Sequence, residues 1–228
     1  MRLFKFLLAL ILLPLTCLVV WQDVHILLGV LEHLRAAISF FLGAAIYAAI
    51  HYRYYNFSRM YVFMHEMTHA LAALLCGVRI KDVSVGKESG YVKMARTNTF
   101  IVLAPYFVPG YVVLVALVYA GVDLFMDMTP YRHFFLFALG FFMAFHFIQT
   151  FHTLWKADQP DLQLAGGKFF SCVTIILANM LVLAVVLKLL FPEAVNLTAS
   201  VSQVATQTAK GGRIIVNYIV GVFNRQPL

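Results

Sequence analysis

Charge is what this sequence has least of. Only 12% of its 228 residues are Asp, Glu, Lys or Arg, about half the share in an ordinary soluble domain. Acid is scarcer than base, ten carboxylates against 17 lysines and arginines, for a formal net charge of +7. With 62% of residues hydrophobic and a mean hydropathy of +0.86, the chain cannot cover a globular surface with polar groups. Its basic excess therefore points to the anionic face of a bilayer and away from nucleic acid. Cysteine is nearly absent. Cys17, Cys76 and Cys172 are odd in number, each within or beside an apolar run, so no disulfide framework is implied and they read as small buried apolar residues. No repeat or low-complexity array is visible. The opening "MRLFKFLLALILLPLTCLVVW" has a basic start and an apolar stretch but no A-x-A-like cleavage site, so it reads as an uncleaved first transmembrane helix. "LPLT" before Cys17 lacks the small residue of a lipoprotein signal, and Cys17 is left unmodified.

What the sequence does have is long apolar runs. A bilayer core about 30 Å thick needs about 20 apolar residues per helix. Runs near that length lie at roughly 3–21, 36–51, 57–76, 99–120, 133–155 and 169–191. The second is marginal and extends backward through "HILLGVLEHLR" if it spans. The fold class expected is an all-α polytopic membrane protein with about five to six transmembrane helices and one small β-hairpin. After Pro192 comes a polar, Ser- and Thr-rich tail, then "IIVNYIVGVF", too short to span and read as an interfacial helix or packed terminal segment. Three regions follow: N-terminal transmembrane helices over 1–56, a core over 57–165, and a C-terminal transmembrane helix with its polar tail over 166–228.

The hairpin is expected in "VRIKDVSVGKESGYVKMARTN", residues 78–98, where β-branched residues alternate imperfectly around the Gly-flanked turn "GKESG". Arg79, Lys81, Lys87, Lys93 and Arg96 make it the densest basic cluster in the chain, which by the positive-inside rule faces the cytoplasm. Two spans before residue 57 would then put the N-terminus outside, against Arg2 and Lys5; without a second span over 22–51 it lies inside.

One apolar helix carries chemistry. In "RMYVFMHEMTHALAALLCG", residues 59–77, His65 and His69 are four apart, so a single helical face presents both imidazoles to one ion. Glu66 is placed to take a proton from a metal-activated water, the work H-E-x-x-H helices do with zinc. Ionisable groups at the centre of a membrane helix cost about 2.5–3.5 kcal/mol each, so they mark function. Tetrahedral zinc needs a third protein ligand. The later glutamates, Glu88 in the hairpin and Glu193 past the last long helix, are badly placed, and the metzincin continuation is missing. Asp158 and Asp161 are better candidates, because Pro160 breaks the helix there and a broken helix can aim a carboxylate into a membrane cavity. Just upstream, His146, Gln149, Thr150 and Thr153 form a polar stripe that lines that cavity, donates to a reacting carbonyl, or merely bonds helices together. His152 lies off the stripe and reads as structural or interfacial.

These residues resemble the site-2 protease family of intramembrane zinc metalloproteases. "HEMTHALAALLCGVRIKDVSVG" is similar to the family's H-E-x-x-H helix running into a cytosolic hairpin, "NTFIVLAPYFVPG" to the next helix, and "QPDLQ" to the third-ligand segment; together they cover roughly 57–165. The usual Leu-Asp-Gly with an upstream Asn is replaced by Pro160-Asp161-Leu162, and no loop is long enough for a PDZ-like or cystathionine-synthase-like domain. The chain looks like a minimal, divergent member.

The resemblance implies zinc held by His65, His69 and Asp161, the last preferred over Asp158 because it follows Pro160, with Glu66 as general base. It implies a transmembrane protein or peptide substrate taken as an added strand beside the hairpin, in a bacterial inner (plasma) membrane, with the active site toward the cytoplasm. No residue pattern fixes an oligomeric state. The competing reading, prompted by the missing Leu-Asp-Gly, is a proteolytically silent scaffold that binds transmembrane segments. A transporter is disfavoured by the lack of internal repeats.

Overall fold

The computed structural model describes residues 2–54, 58–87, 89–156 and 159–223. The chain runs α1 (Arg2–Glu32), α2 (Leu34–Tyr54), α3 (Ser58–Leu75), β1 (Ile80–Val85), β2 (Gly90–Met94), α4 (Thr99–Phe107) and α5 (Gly110–Asp123). A 3-10 turn (Thr129–Tyr131) then leads into α6 (Arg132–Lys156), α7 (Pro160–Ala165), α8 (Lys168–Leu190) and α9 (Leu197–Phe223). Three helical segments among the described residues are long and apolar enough to cross a bilayer: Arg2–Glu32, Thr129–Trp155 and Lys168–Leu190. The bent pair α4/α5 makes a fourth if counted as one span. The protein is thus a mostly helical integral membrane protein with one two-stranded antiparallel hairpin, and α2 and α3 fall short of the apolarity that would make them spans by composition.

Two pairs of parallel helices frame the interior. α1 lies along α8, with Phe6 against Phe169 and the small, fully buried Ala9 against Phe170 and Val173. α2 lies along α6, where Gly43 and Gly140 let the backbones approach closely: a methyl group on either would land on the carbonyl of Phe137 or Phe40. Without water to drive association inside a bilayer, such close backbone contact is what holds helices together. Between the pairs, Val30, Phe40, Val112, Leu136, Leu139 and Leu187 form one buried cluster.

Several sequence expectations shift here. α1 continues past the apolar run at 3–21, because its polar residues face protein: Gln22 donates to the Ser200 hydroxyl at 3.1 Å and Asp23 is buried. The run 99–120 is not one helix but two, bent by 72° between Phe107 and Gly110, since Pro105 and Pro109 remove backbone donors around the break. The polar tail and "IIVNYIVGVF" join into the single 27-residue α9, which carries Gly211 and Gly212 within it. The boundary drawn between 56 and 57 lies outside the described residues.

The side of the N-terminus is decided by Lys5. Its ammonium donates to the Thr99 hydroxyl at 2.8 Å and the Ala165 carbonyl at 2.6 Å, 5.4 Å from the Phe170 ring centroid. The start of α1, the exit of the hairpin and the end of α7 therefore share one end of the molecule. Arg2 and Lys5 stand with the basic hairpin, not across the membrane from it.

In the hairpin, Val83 pairs with Val92 and Val85 with Gly90, and the Gly86 amide donates to the Ser89 carbonyl at 2.9 Å to close the turn. A register irregularity between Ile80 and Asp82 accounts for the imperfect alternation of the first strand.

The Gly43/Gly140 contact yields a stability test. Gly140→Ala should force α2 and α6 apart and cost about 1–3 kcal/mol, read as a lowered melting temperature in detergent. An unchanged midpoint would show that the contact carries no stability.

Candidate metal centre

His65 and His69 stand on successive turns of α3, their rings nearly perpendicular with centroids 4.8 Å apart. Asp161, in the first turn of α7, comes to meet them. Its Oδ2 lies 3.5 Å from His65 Nε2 and 3.4 Å from His69 Nε2, and one ligand atom from each residue falls within 4.8 Å of the other two. Ligand atoms around a tetrahedral zinc, with bonds of about 2.0–2.1 Å, stand about 3.3 Å apart, close to the two printed edges. A second observation tests the fit. His69 Nδ1 lies 2.8 Å from the Ile101 carbonyl, which can only accept, so Nδ1 carries the hydrogen and a neutral His69 turns a bare Nε2 lone pair toward the Asp161 oxygen. Two acceptors so close are reconciled by a positive charge between them, a proton on Nε2 or a metal ion, and the His-His-Asp donor set fits zinc.

The model of the Peptidase M50B-like family matches residues 36–189, more than half of the chain. The chain belongs to this family, a site-2 protease-like group. No curated protein and no solved structure shows a match. Family membership, with a His-His-Asp group able to hold a metal, marks the protein as a candidate metalloprotease.

This M50B-like chain positions the three side chains through breaks in its helices. In α4, Pro105 has no N–H to offer the carbonyl four residues earlier, and that carbonyl is Ile101. The proline thus frees the acceptor that fixes His69. Tyr106, one residue on, is fully buried and donates its hydroxyl to Asp161 Oδ2 at 3.0 Å. Its carbonyl, in the last turn of α4, accepts from Asn179 Nδ2 at 2.8 Å, while Asn179 Oδ1 faces His146 Nε2 at 3.0 Å. The Asp161 segment is held at both ends. Pro160 opens α7 and Gly166 and Gly167, with φ of 135° and 109°, close it, while Leu162 and Ala165 pack with Val102, Leu103 and Ile175.

Glu66 is buried at the wall of the same cavity, about 770 Å³ in volume, which also takes in β2 and the start of α7. The β2 backbone presses on it at Gly90, where an added methyl would sit 2.6 Å from Glu66 Cγ and 3.0 Å from Oε1. Of the polar stripe, Gln149 and Thr153 line this cavity, whereas His146 bonds to Asn179 and Thr150 does not reach it. His152, read from sequence as structural or interfacial, lines the cavity too. Glu193 follows the far end of α8, away from the site. Asp158, the alternative third ligand, and Glu88 lie outside the described residues. Sequence reasoning did not single out Tyr61, Ile101, Tyr106 or Asn179. Two had a signal: Tyr61 is four residues before His65 on the same helical face, and Pro105 is four after Ile101.

Pro105→Ala should restore a helical donor to the Ile101 carbonyl and loosen His69. The expected outcome is zinc affinity lower by about 10–100-fold, measured by competition with a chelating dye, in a protein that still folds. Unchanged affinity would show that the freed carbonyl does not orient the imidazole.

Proposed function

We propose that the protein is a membrane-embedded zinc metalloendopeptidase that hydrolyses peptide bonds of membrane-protein substrates. The observation that carries this reading is the meeting of His65 Nε2 and His69 Nε2 on a single oxygen of Asp161, beside a buried Glu66. His65, His69 and Asp161 would hold the zinc. When bound, zinc lowers the pKa of a water to about 7 and polarises a carbonyl. Glu66 accepts a proton from the attacking water as its oxygen bonds to the carbonyl carbon. The C–N bond then breaks, and Glu66 returns the proton to the leaving amine.

The substrate class follows from the surroundings. A transmembrane segment hides its amides in a helix and must unwind before it can be cut. β2 borders the cavity and has β1 on only one edge among the described residues, so its other edge offers backbone donors and acceptors to an extended segment. Arg2, Lys5 and the basic hairpin share one end of the molecule, which supports a site opening to the cytoplasmic side of a bacterial inner membrane. The bilayer and a membrane-protein substrate are the partners, with no role for nucleic acid.

The test is purification in detergent, metal analysis, and incubation with labelled transmembrane peptides. Wild type should bind one zinc per chain and cleave. Glu66→Gln should keep the zinc and lose about 10²–10⁴-fold in rate, whereas His65→Ala should lose the zinc. A wild type that binds zinc and peptide but never cleaves would replace the protease reading with a silent scaffold, and a metal-free wild type would remove the zinc.

A further inference from the structure

Tyr61 stands one turn before His65 on α3, its ring centroid 5.5 Å from the imidazole of His65. Its side chain lines the cavity that holds Glu66, His65 and Asp161. Its hydroxyl oxygen is buried and makes no hydrogen bond of good geometry, although the Thr153 hydroxyl on α6 is close enough to interact with it. A buried hydroxyl without a well-formed hydrogen bond costs stability in the resting protein and leaves a donor to spare beside the cavity. Two polar groups nearby are engaged elsewhere. Tyr106 donates to Asp161, and Gln149 donates to Tyr47 at 3.2 Å.

We propose that the Tyr61 hydroxyl donates a hydrogen bond to the oxygen of the scissile carbonyl as negative charge develops on it, making Tyr61 a catalytic residue of the reaction proposed above, on which this inference rests. Peptide hydrolysis turns a neutral carbonyl oxygen into an oxyanion in its tetrahedral intermediate. A donor fixed in a water-poor cavity before the reaction binds that oxyanion more strongly than the ground-state carbonyl. The Tyr61 hydroxyl neighbours Thr153 on α6, whereas Glu66 lies against β2 at Gly90. The carbonyl oxygen and the attacking water are thereby served by different walls. No bond to Tyr61 forms or breaks; its proton stays on the phenol and is shared with the substrate oxygen.

The test is Tyr61→Phe in the full-length, zinc-loaded protein, followed by zinc content, steady-state cleavage of a labelled transmembrane peptide, and binding of a phosphonamidate analogue of that peptide, a stable mimic of the tetrahedral intermediate. The expected result is unchanged zinc and KM, a kcat lower by about 10²–10³-fold, and a comparable weakening of phosphonamidate binding. The binding arm needs no turnover, so it reports on slow preparations. Unchanged kcat and phosphonamidate affinity would overturn the role of Tyr61 and leave the protease reading standing. Loss of zinc would overturn it too, by making Tyr61 a support for His65. A zinc-loaded wild type that neither cleaves nor prefers the phosphonamidate over the parent peptide would overturn the protease reading itself and this inference with it.

Discussion

One oxygen atom sets the terms for the interior of this protein. Asp161 Oδ2 faces the Nε2 atoms of His65 and His69 at 3.5 and 3.4 Å, inside a bundle where an uncompensated charge is expensive. The carboxylate accepts, and the Nδ1–H···O bond to Ile101 turns Nε2 of His69 toward it, so positive charge at the centre stabilises the arrangement. The hydrogen bond from Tyr106 and the anchoring of α7 at Pro160 and at Lys5 all bring that carboxylate to the two rings and keep it there.

The anchoring is built from interrupted helices. A continuous helix in lipid satisfies its own backbone and has nothing left to offer a side chain. Here Pro105 releases the Ile101 carbonyl to His69, and the end of α4 releases the Tyr106 carbonyl to Asn179. The break after α6 lets Pro160 start a new short helix with Asp161 in its first turn. In α4 both freed carbonyls find partners within the chain.

Close approach of backbone does the rest. Gly43 and Gly140 bring α2 against α6, placing Gln149, His152 and Thr153 on one wall of the cavity, and Gly90 lets β2 touch Glu66 on another. Packing in this chain is thus inseparable from the chemistry: the glycines that remove side-chain bulk also set how wide the space around the ligand group is.

Much of this was legible in the sequence. Hydropathy announced a membrane protein, the spacing of His65, Glu66 and His69 a metal helix, and the Gly-flanked "GKESG" a hairpin turn, because each is a property of neighbouring residues and of the helix or strand period. Pro160 marked the break that frees Asp161 for the same reason. What the tertiary structure alone decided depends on residues far apart in the chain. Asp161 reaches rings 92 and 96 positions earlier, Lys5 ties the first helix to Thr99 and Ala165, His152 turns into the cavity, and α4 bends by 72° away from α5. Local periodicity shows which face of a helix is polar, but which helix that face will meet is fixed only by packing.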